Sequence, residues 1–420
     1  MGQTTIAKEM KKTISIIFIG LLALGSLNAC NKQDPEDPGQ ENKPFEPIVL
    51  TKAEQEINNA SNQFGFDVYH KIYSGDDILI SPLSLSLALS MTANGAAGTT
   101  AEGMLSTLGF AGKDKATMND YYQKMIEGLL DADPKTTFEV ANSIWADEKI
   151  GVKKSFTDVT KKYYSSEVYP ADFSTQATVN QINKWCSDKT HGKIPTIMDK
   201  PNPALVMALV NALYFKGTWA FDFNEKTKKE DFATLAGGKN KVEMMSAEEK
   251  LLYSEHDGFS MVQLPYGNGA FCMDVILPKK GEDFGKAVAN LDADTFQGLL
   301  RNQSNAIVNL KLPKFTFDYN IRLNEVLMAL GMQEAFSNSA DFSEMAEKSL
   351  KISLVKQKTF IDVNEKGTEA AAVTFVGMEL TSAMPAREPK RVEFFADRPF
   401  LFVIRENSTG AILFIGQKVS

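Results

Sequence analysis

The chain has 420 residues, 43% hydrophobic and 23% charged, a globular composition long enough to bury a sizeable core without disulfide staples. Acidic residues (53) outnumber basic ones (45), and a net charge of −8 offers no basic field for nucleic acid, which is excluded as a partner. At the N-terminus, Lys11 and Lys12 precede an apolar run from Ile14 to Leu27 that closes on Leu27-Asn28-Ala29-Cys30. A basic start, a short apolar centre and a small residue before a cut make residues 1–29 a secretory signal, with Met10 a more typical start than Met1. The run is shorter than the ~20 residues a spanning helix needs. Residues 30–50 carry Pro, Gly and carboxylates with no apolar period, so they read as a flexible acidic tether ahead of a single domain over 51–420.

Along that domain, Ile57, Phe64, Val68 and Ile72 recur near helical spacing. Ser81-Pro82 opens a Leu/Ser/Ala run to Met91, where the Pro just inside the start favours a helix capped by Ser81 over a strand. Thr99 to Glu102 opens another helix. Strand-like segments follow at Phe138 to Trp145, Ala204 to Phe215, Met261 to Leu264, Phe271 to Leu277 and Ala306 to Leu312. The block Ala204 to Phe215 is apolar except for Asn211, as a strand buried on both faces would be. Asn211 must then find partners, since an unpaired buried amide costs about 1–3 kcal/mol. Arg398 to Gln417 reads as two strands joined by a turn at Asn407 to Gly410. Helices first and many strands later suggest an α+β architecture.

The catalytic inventory is nearly empty. The three histidines are His70, His191 and His256, and His191 sits in a helix-ending stretch as a capping or surface residue. No Gly-x-Ser-x-Gly elbow and no His-Glu-x-x-His or Cys-x-x-Cys spacing occurs, and Gly267-Asn268-Gly269 is a turn between strands. The chain is therefore read as no enzyme, with no metal and no cofactor. Cys186 and Cys272 lie in unrelated apolar contexts and are expected as buried free thiols, although a secreted chain could pair them.

The segment from Glu365 to Arg398 is the odd one. From Thr368 to Leu380 the even positions are uncharged (Thr, Ala, Ala, Thr, Val, Met, Leu), whereas Glu369 and Glu379 fall on odd positions. Such segregation suits a strand with one buried face. Pro385, Pro389 and the charges that follow look like an exposed loop, so the segment reads as a loop able to become a strand. The competing reading is an Ala-rich helix, against which Gly367, Val373, Thr374, Val376 and Gly377 all count.

Several motifs resemble the serpin family. Glu365-Lys366-Gly367-Thr368-Glu369-Ala370-Ala371-Ala372 is similar to the hinge of the serpin reactive-centre loop. Asn211 to Trp219, Asn183-Lys184-Trp185 with Thr190 to Ile194, and Ile80 to Ser84 resemble the family in order. So do Leu312 to Phe315, Ala340 to Ser343 and Asp397 to Phe402. The resemblance spans about Ala53 to Ser420. It implies a monomeric fold of helices and three β-sheets with a large central sheet. It also implies a suicide-substrate mechanism, in which a protease cuts the loop and is trapped as the loop enters that sheet. By family position the reactive bond is Thr381-Ser382, with Leu380, Met384 and Arg387 as alternatives. Small residues at this bond favour elastase-like proteases, with subtilisin-, trypsin- or papain-like ones as further candidates. Trp219, Lys314 and Glu365 match positions where the loop enters the sheet, with Lys314 and Glu365 as an ion pair. Ser81, Ser84 and Asn211 match a polar cluster beneath the opening strands, where Gln357 stands in place of a frequent histidine. The alternative implied role is a non-inhibitory binding or carrier serpin.

The sequence before Cys30 resembles the lipobox of bacterial lipoproteins. It implies lipidation of Cys30 and a lipid anchor in the bacterial cell envelope, at the outer membrane and exposed at the surface.

Overall fold

The computed structural model describes residues 43–223, 225–368 and 389–420. Helix α1 (Lys52–Ile72) starts from a capping box, in which the Thr51 hydroxyl accepts from the Glu54 N–H and the Glu54 carboxylate accepts from the Thr51 N–H. The anticipated apolar face of Ile57, Phe64, Val68 and Ile72 is buried. Strand β1 (Ile78–Ile80) leads to α2 (Pro82–Ala93), whose N-cap is Ser81. All 12 residues of α2 are buried, so its serines must bond inside the protein. Ser86 Oγ donates to the Leu83 carbonyl and lies 2.7 Å from Ser61 Oγ. The Leu/Ser alternation therefore reports a helix enclosed on every side, with small polar residues where neighbours press close.

Helices α3 (Gly98–Thr107) and α4 (Lys115–Asp131), strand β2 (Thr137–Asp147), helix α5 (Lys154–Tyr164), strand β3 (Glu167–Ala171) and helix α6 (Gln176–Lys189) come next. Strands β4 (Met207–Thr218), β5 (Glu225–Ala233), β6 (Lys239–His256), β7 (Phe259–Tyr266) and β8 (Phe271–Pro278) precede helices α7 (Phe284–Asn290) and α8 (Ala293–Arg301). Strands β9 (Ser304–Pro313) and β10 (Phe315–Arg322), the short helix α9 (Asn324–Leu327) with the helical turns Met328–Met332 and Glu334–Phe336 after it, and strands β11 (Leu354–Asn364), β12 (Gly367–Thr368), β13 (Lys390–Phe395), β14 (Phe400–Glu406) and β15 (Ile412–Lys418) complete the described elements. Each anticipated strand is present and extends beyond its apolar centre. The exception is the start of β4: Ala204 to Val206 belong to the preceding loop, where the Asn202 carboxamide accepts from the Ala204 N–H. Helices and strands interleave more than a helices-first reading suggested, because β1, β2 and β3 lie among the early helices.

Among the described residues the strands form two hydrogen-bonded sheets. The central one runs β10-β11-β12-β4-β2-β3, with β11 also paired directly to β4. The other runs β1-β15-β14-β8-β7-β6-β9-β13, with β5 added on β6. The 18-residue β6 pairs with β5 at its start and β7 at its end, so the two smaller sheets expected beside the central one run into each other along a single strand.

Strand β4 is buried on both faces. Met207, Leu209, Leu213 and Phe215 enter the main core, whereas Ala208, Val210 and Ala212 enter a second cluster with Val179, Ile182 and Cys186 of α6. Cys186 and Cys272 are buried free thiols, and burial pushes the Cys186 thiol up to about 12, leaving it protonated and inert at neutral pH.

The described residues from 43 onward form one compact unit. Phe45, Ile48 and Leu50 pack against the core, and Lys43 pairs with Asp131 at 2.5 Å, because this stretch offers apolar side chains at intervals that the acidic composition concealed.

Candidate functional site

The seam between β11 and β4 is the unusual part of the central sheet. At one end, Leu354–Thr359 pair in parallel with Ala208–Leu213. At the other end the two strands part and β12 sits between them, antiparallel to both: Val363 faces Thr368 and Asn364 faces Gly367, while Gly367 faces Thr218 and Thr368 faces Gly217. The chain turns back at Glu365-Lys366 to achieve this. Gly367 has φ +135, and a Cβ there would meet the Gly217 carbonyl oxygen at 2.1 Å, so no other residue fits without displacing β4. Thr368 is fully buried, with its hydroxyl 2.7 Å from the Tyr266 hydroxyl.

The hinge is held by the residues expected there and by several not anticipated. The Trp219 indole donates to the Asn364 carbonyl (2.9 Å) and stacks on Tyr266 with ring centroids 4.3 Å apart. Lys314 and Glu365 form the expected ion pair at 3.0 Å. Burial pushes the Glu365 carboxyl up, but the Thr227 hydroxyl, which donates at 2.6 Å, and Lys314 outweigh it and hold the group below the usual carboxylate range. Tyr266 and Thr227 carried no sequence signal. Both belong to strands remote in sequence, and only pairing brings them to the hinge.

Below the hinge, under the closed part of the seam, lies a buried polar cluster. Gln357 Nε2 donates to the Asn211 carboxamide oxygen (2.8 Å) and to the Ser81 carbonyl (3.0 Å), and Gln357 Oε1 accepts from the Ser81 N–H (2.9 Å). Asn211 Nδ2 donates to the Ser84 hydroxyl and to the carboxamide oxygen of Asn142. The structure thus brings together Ser81, Ser84, Asn211 and Gln357, and adds Asn142 from β2. Asn142 carried no sequence signal of its own, since β2 also holds Glu139 and Ser143, and only the pairing of β2 with β4 sets it opposite Asn211. With Gln at 357, the cluster holds no group that titrates near neutral pH.

His191 lies at the end of α6 with φ 49. Its Nε2 is 3.0 Å from Glu139, and its side chain is half exposed, as a helix-ending surface residue. The Gly267-Asn268-Gly269 turn joins β7 to β8 as anticipated. Among the described residues no group of three or more His, Cys, Asp or Glu side chains could hold a metal. Cys30, Glu369, Ala370, Ala371, Ala372, Leu380, Thr381, Ser382, Met384 and Arg387 lie outside the described residues.

A split seam with a two-residue strand wedged in its end is an arrangement a sequence profile can test. The profile described as "Serpin (serine protease inhibitor)" matches residues 59–420. The chain belongs to the serpin family. Among its relatives, Serpin-Z2A of Triticum aestivum is 35% identical, covering 85% of this chain and 94% of the relative. Native tengpin, a thermophilic serpin of known structure, superposes with a TM-score of 0.79 at 33% identity, covering 90% of this serpin and 97% of tengpin. Human thyroxine-binding globulin in complex with its hormone superposes with a TM-score of 0.79 at 27% identity, covering 88% and 99%. The family thus includes protease inhibitors and at least one binding protein on the same fold.

Proposed function

We propose that this serpin is an inhibitor of the suicide-substrate type. A serine or cysteine endopeptidase attacks the Thr381 carbonyl and releases Ser382 as the new amine. The freed loop then inserts between β11 and β4 before water can hydrolyse the acyl-enzyme. The observation that carries this reading is the seat of β12, which already occupies the top of that path in antiparallel register with both neighbours.

Continuing the register backward along both neighbours would set Ala370 opposite Ile361 and Phe215, Ala372 opposite Thr359 and Leu213, and Thr374 opposite Gln357 and Asn211. The inward loop residues would be small where the flanking side chains are large. The next hydroxyl after Thr368 would arrive at the polar cluster. Insertion would also replace the parallel Leu354–Thr359 pairing with antiparallel pairing on both sides of a new strand. Antiparallel ladders are somewhat more stable per residue, and the new strand adds a full set of hydrogen bonds. The uncut form is then kept by a barrier rather than by being the most stable arrangement.

A carrier role, in which the loop is merely cut, is the second reading. It has no need of small uncharged residues at every inward position, so the pattern from Thr368 to Thr374 weighs against it. The small residues at Thr381-Ser382 suit an elastase-like target. The lipobox-like sequence ending at Cys30 supports anchoring by lipid in a bacterial envelope, and Cys30→Ser should move the protein from the membrane fraction to the soluble one.

The test mixes mature protein with elastase-, subtilisin-, trypsin- and papain-like proteases, followed by denaturing gels and mass spectrometry of the released peptide. A boiling-resistant complex with cleavage after Thr381 is the expected result. A complex with cleavage after Leu380, Met384 or Arg387 would retain the trap and move the bond. Rapid cleavage with no complex across the panel would overturn the inhibitory reading in favour of the carrier.

A further inference from the structure

We infer that residues 43–50 form a clip that holds the loop-accepting end of the central sheet in its hinge-docked state. The segment has no regular structure, yet it is fastened at each end. Lys43 donates to the Asp131 carbonyl at 3.0 Å and pairs with its carboxylate, while its own carbonyl accepts from Asn268 Nδ2 at 3.1 Å. Ile48 donates its N–H to the Ser408 hydroxyl at 2.9 Å, and its side chain lies where a Cβ on Gly128 would be, with Cδ1 2.7 Å from that position. The segment therefore straps together the C-terminal end of α4, the β7–β8 turn and the β14–β15 turn.

The β7–β8 turn touches the hinge directly. Asn268 lies between Gly267, whose N–H donates to the Thr218 carbonyl at 2.8 Å, and Gly269, whose N–H donates to the Tyr266 carbonyl at 2.7 Å. Thr218 faces Gly367, and the Tyr266 hydroxyl lies against Thr368. The same Asn268 amide also donates to the Ala132 carbonyl (2.9 Å), and a Cβ on Gly267 would meet Asp133 at 1.8 Å. The end of α4, the turn and the start of β12 thus form one close-packed unit, and the clip closes its outer side. Releasing the clip frees the turn, and with it the contacts that seat Gly367 and Thr368. Such local opening is read by amide exchange in contiguous segments.

The experiment uses the uncleaved full-length protein and no protease, so its outcome is independent of whether the inhibitory reading holds. Gly128→Leu fills the place of Ile48 without altering the clip itself, and leucine favours helix over glycine, so a purely local effect would steady α4. The expected result is exchange roughly tenfold faster at the Trp219, Gly267 and Thr368 amides as well as in residues 43–50. Adding Ile48→Asp to Gly128→Leu should produce no further increase, because both changes release the same contact. If Gly128→Leu does not fold, Lys43→Glu and Ile48→Asp at the half-buried clip residues, made singly, carry the same readout. Faster exchange confined to residues 43–50 and α4, with the hinge amides unchanged, would overturn the proposal.

Discussion

The two ends of the seam between β4 and β11 are built from opposite materials. At the closed end, parallel backbone pairing lies over Ser81, Ser84, Asn142, Asn211 and Gln357, a buried polar cluster in which each residue is bonded to others of the group. At the split end, a two-residue strand is held by backbone pairing to both neighbours, by a hydrogen bond between the Thr368 and Tyr266 hydroxyls beside the Trp219–Tyr266 stack, and by a part-exposed ion pair. Breaking a buried polar network is costly because it strands buried groups, although Asn142 Nδ2 already finds no partner among the described residues. A two-residue ladder has far fewer bonds to break. In the proposed mechanism, the difference would put the barrier to insertion at the cluster and the starting point at the hinge.

Substitutions can break that division, beginning with the hinge. Thr368→Arg puts a charge where the side chain is fully buried and its hydroxyl lies against that of Tyr266. Insertion should stall, raising the inhibitor consumed per protease trapped by about tenfold or more, as a titration of residual protease activity would measure. Loss of inhibition without any rise in turnover of the loop would count against this account. Asn211→Ala orphans partners at Gln357, Asn142 and Ser84, and should lower the stability of the uncut form by ~2–4 kcal/mol in denaturant unfolding. An unchanged midpoint would show that the closed end is not held by the cluster.

Thr374→Val sharpens the comparison from the other side. It should leave the uncut form unchanged and reduce the stability of the cleaved, inserted form by ~1–2 kcal/mol, because only there would its hydroxyl reach Asn211 and Gln357. Equal effects on both forms would contradict the extended register. The smallest effect belongs to Glu365→Gln. The pair with Lys314 is about a third exposed on each side, so screening limits its worth to ~0.5 kcal/mol at neutral pH. The Glu365 carboxyl is held below its usual value of 4.5 in the folded protein. Its contribution is therefore fully present above 4.5 and lost as pH falls through the depressed folded value, so wild type and variant should converge on acidification.

Much of this site was legible in the sequence because the constraints it obeys are local. Gly367 is demanded by a positive φ against the β4 backbone, and the alternation that follows it is a strand pattern even where the segment looks like a loop. Asn211 was conspicuous as the polar interruption of an apolar strand. Asn142, Tyr266, Thr227 and Asn268 were not legible. Each is an ordinary residue in its own stretch and gains its role from a partner more than 60 positions away, as with Asn142 and Asn211 at a separation of 69. The clip was hidden for a different reason. Its prolines and charges match a linker by composition, while Phe45, Ile48 and Leu50 act only through surfaces contributed by distant elements.

By itself, then, the sequence determined the family, the α+β fold and the run of small uncharged residues at the even positions from Thr368 to Thr374, because periodicity and backbone conformation act over a few residues. Tertiary structure alone decided that two smaller sheets merge along β6, that Asn142 joins Ser81, Ser84, Asn211 and Gln357 beneath the seam, and that Phe45, Ile48 and Leu50 pack against the core. These depend on which strands pair and in which register, and that choice is made by the packing of the whole core rather than by any one segment.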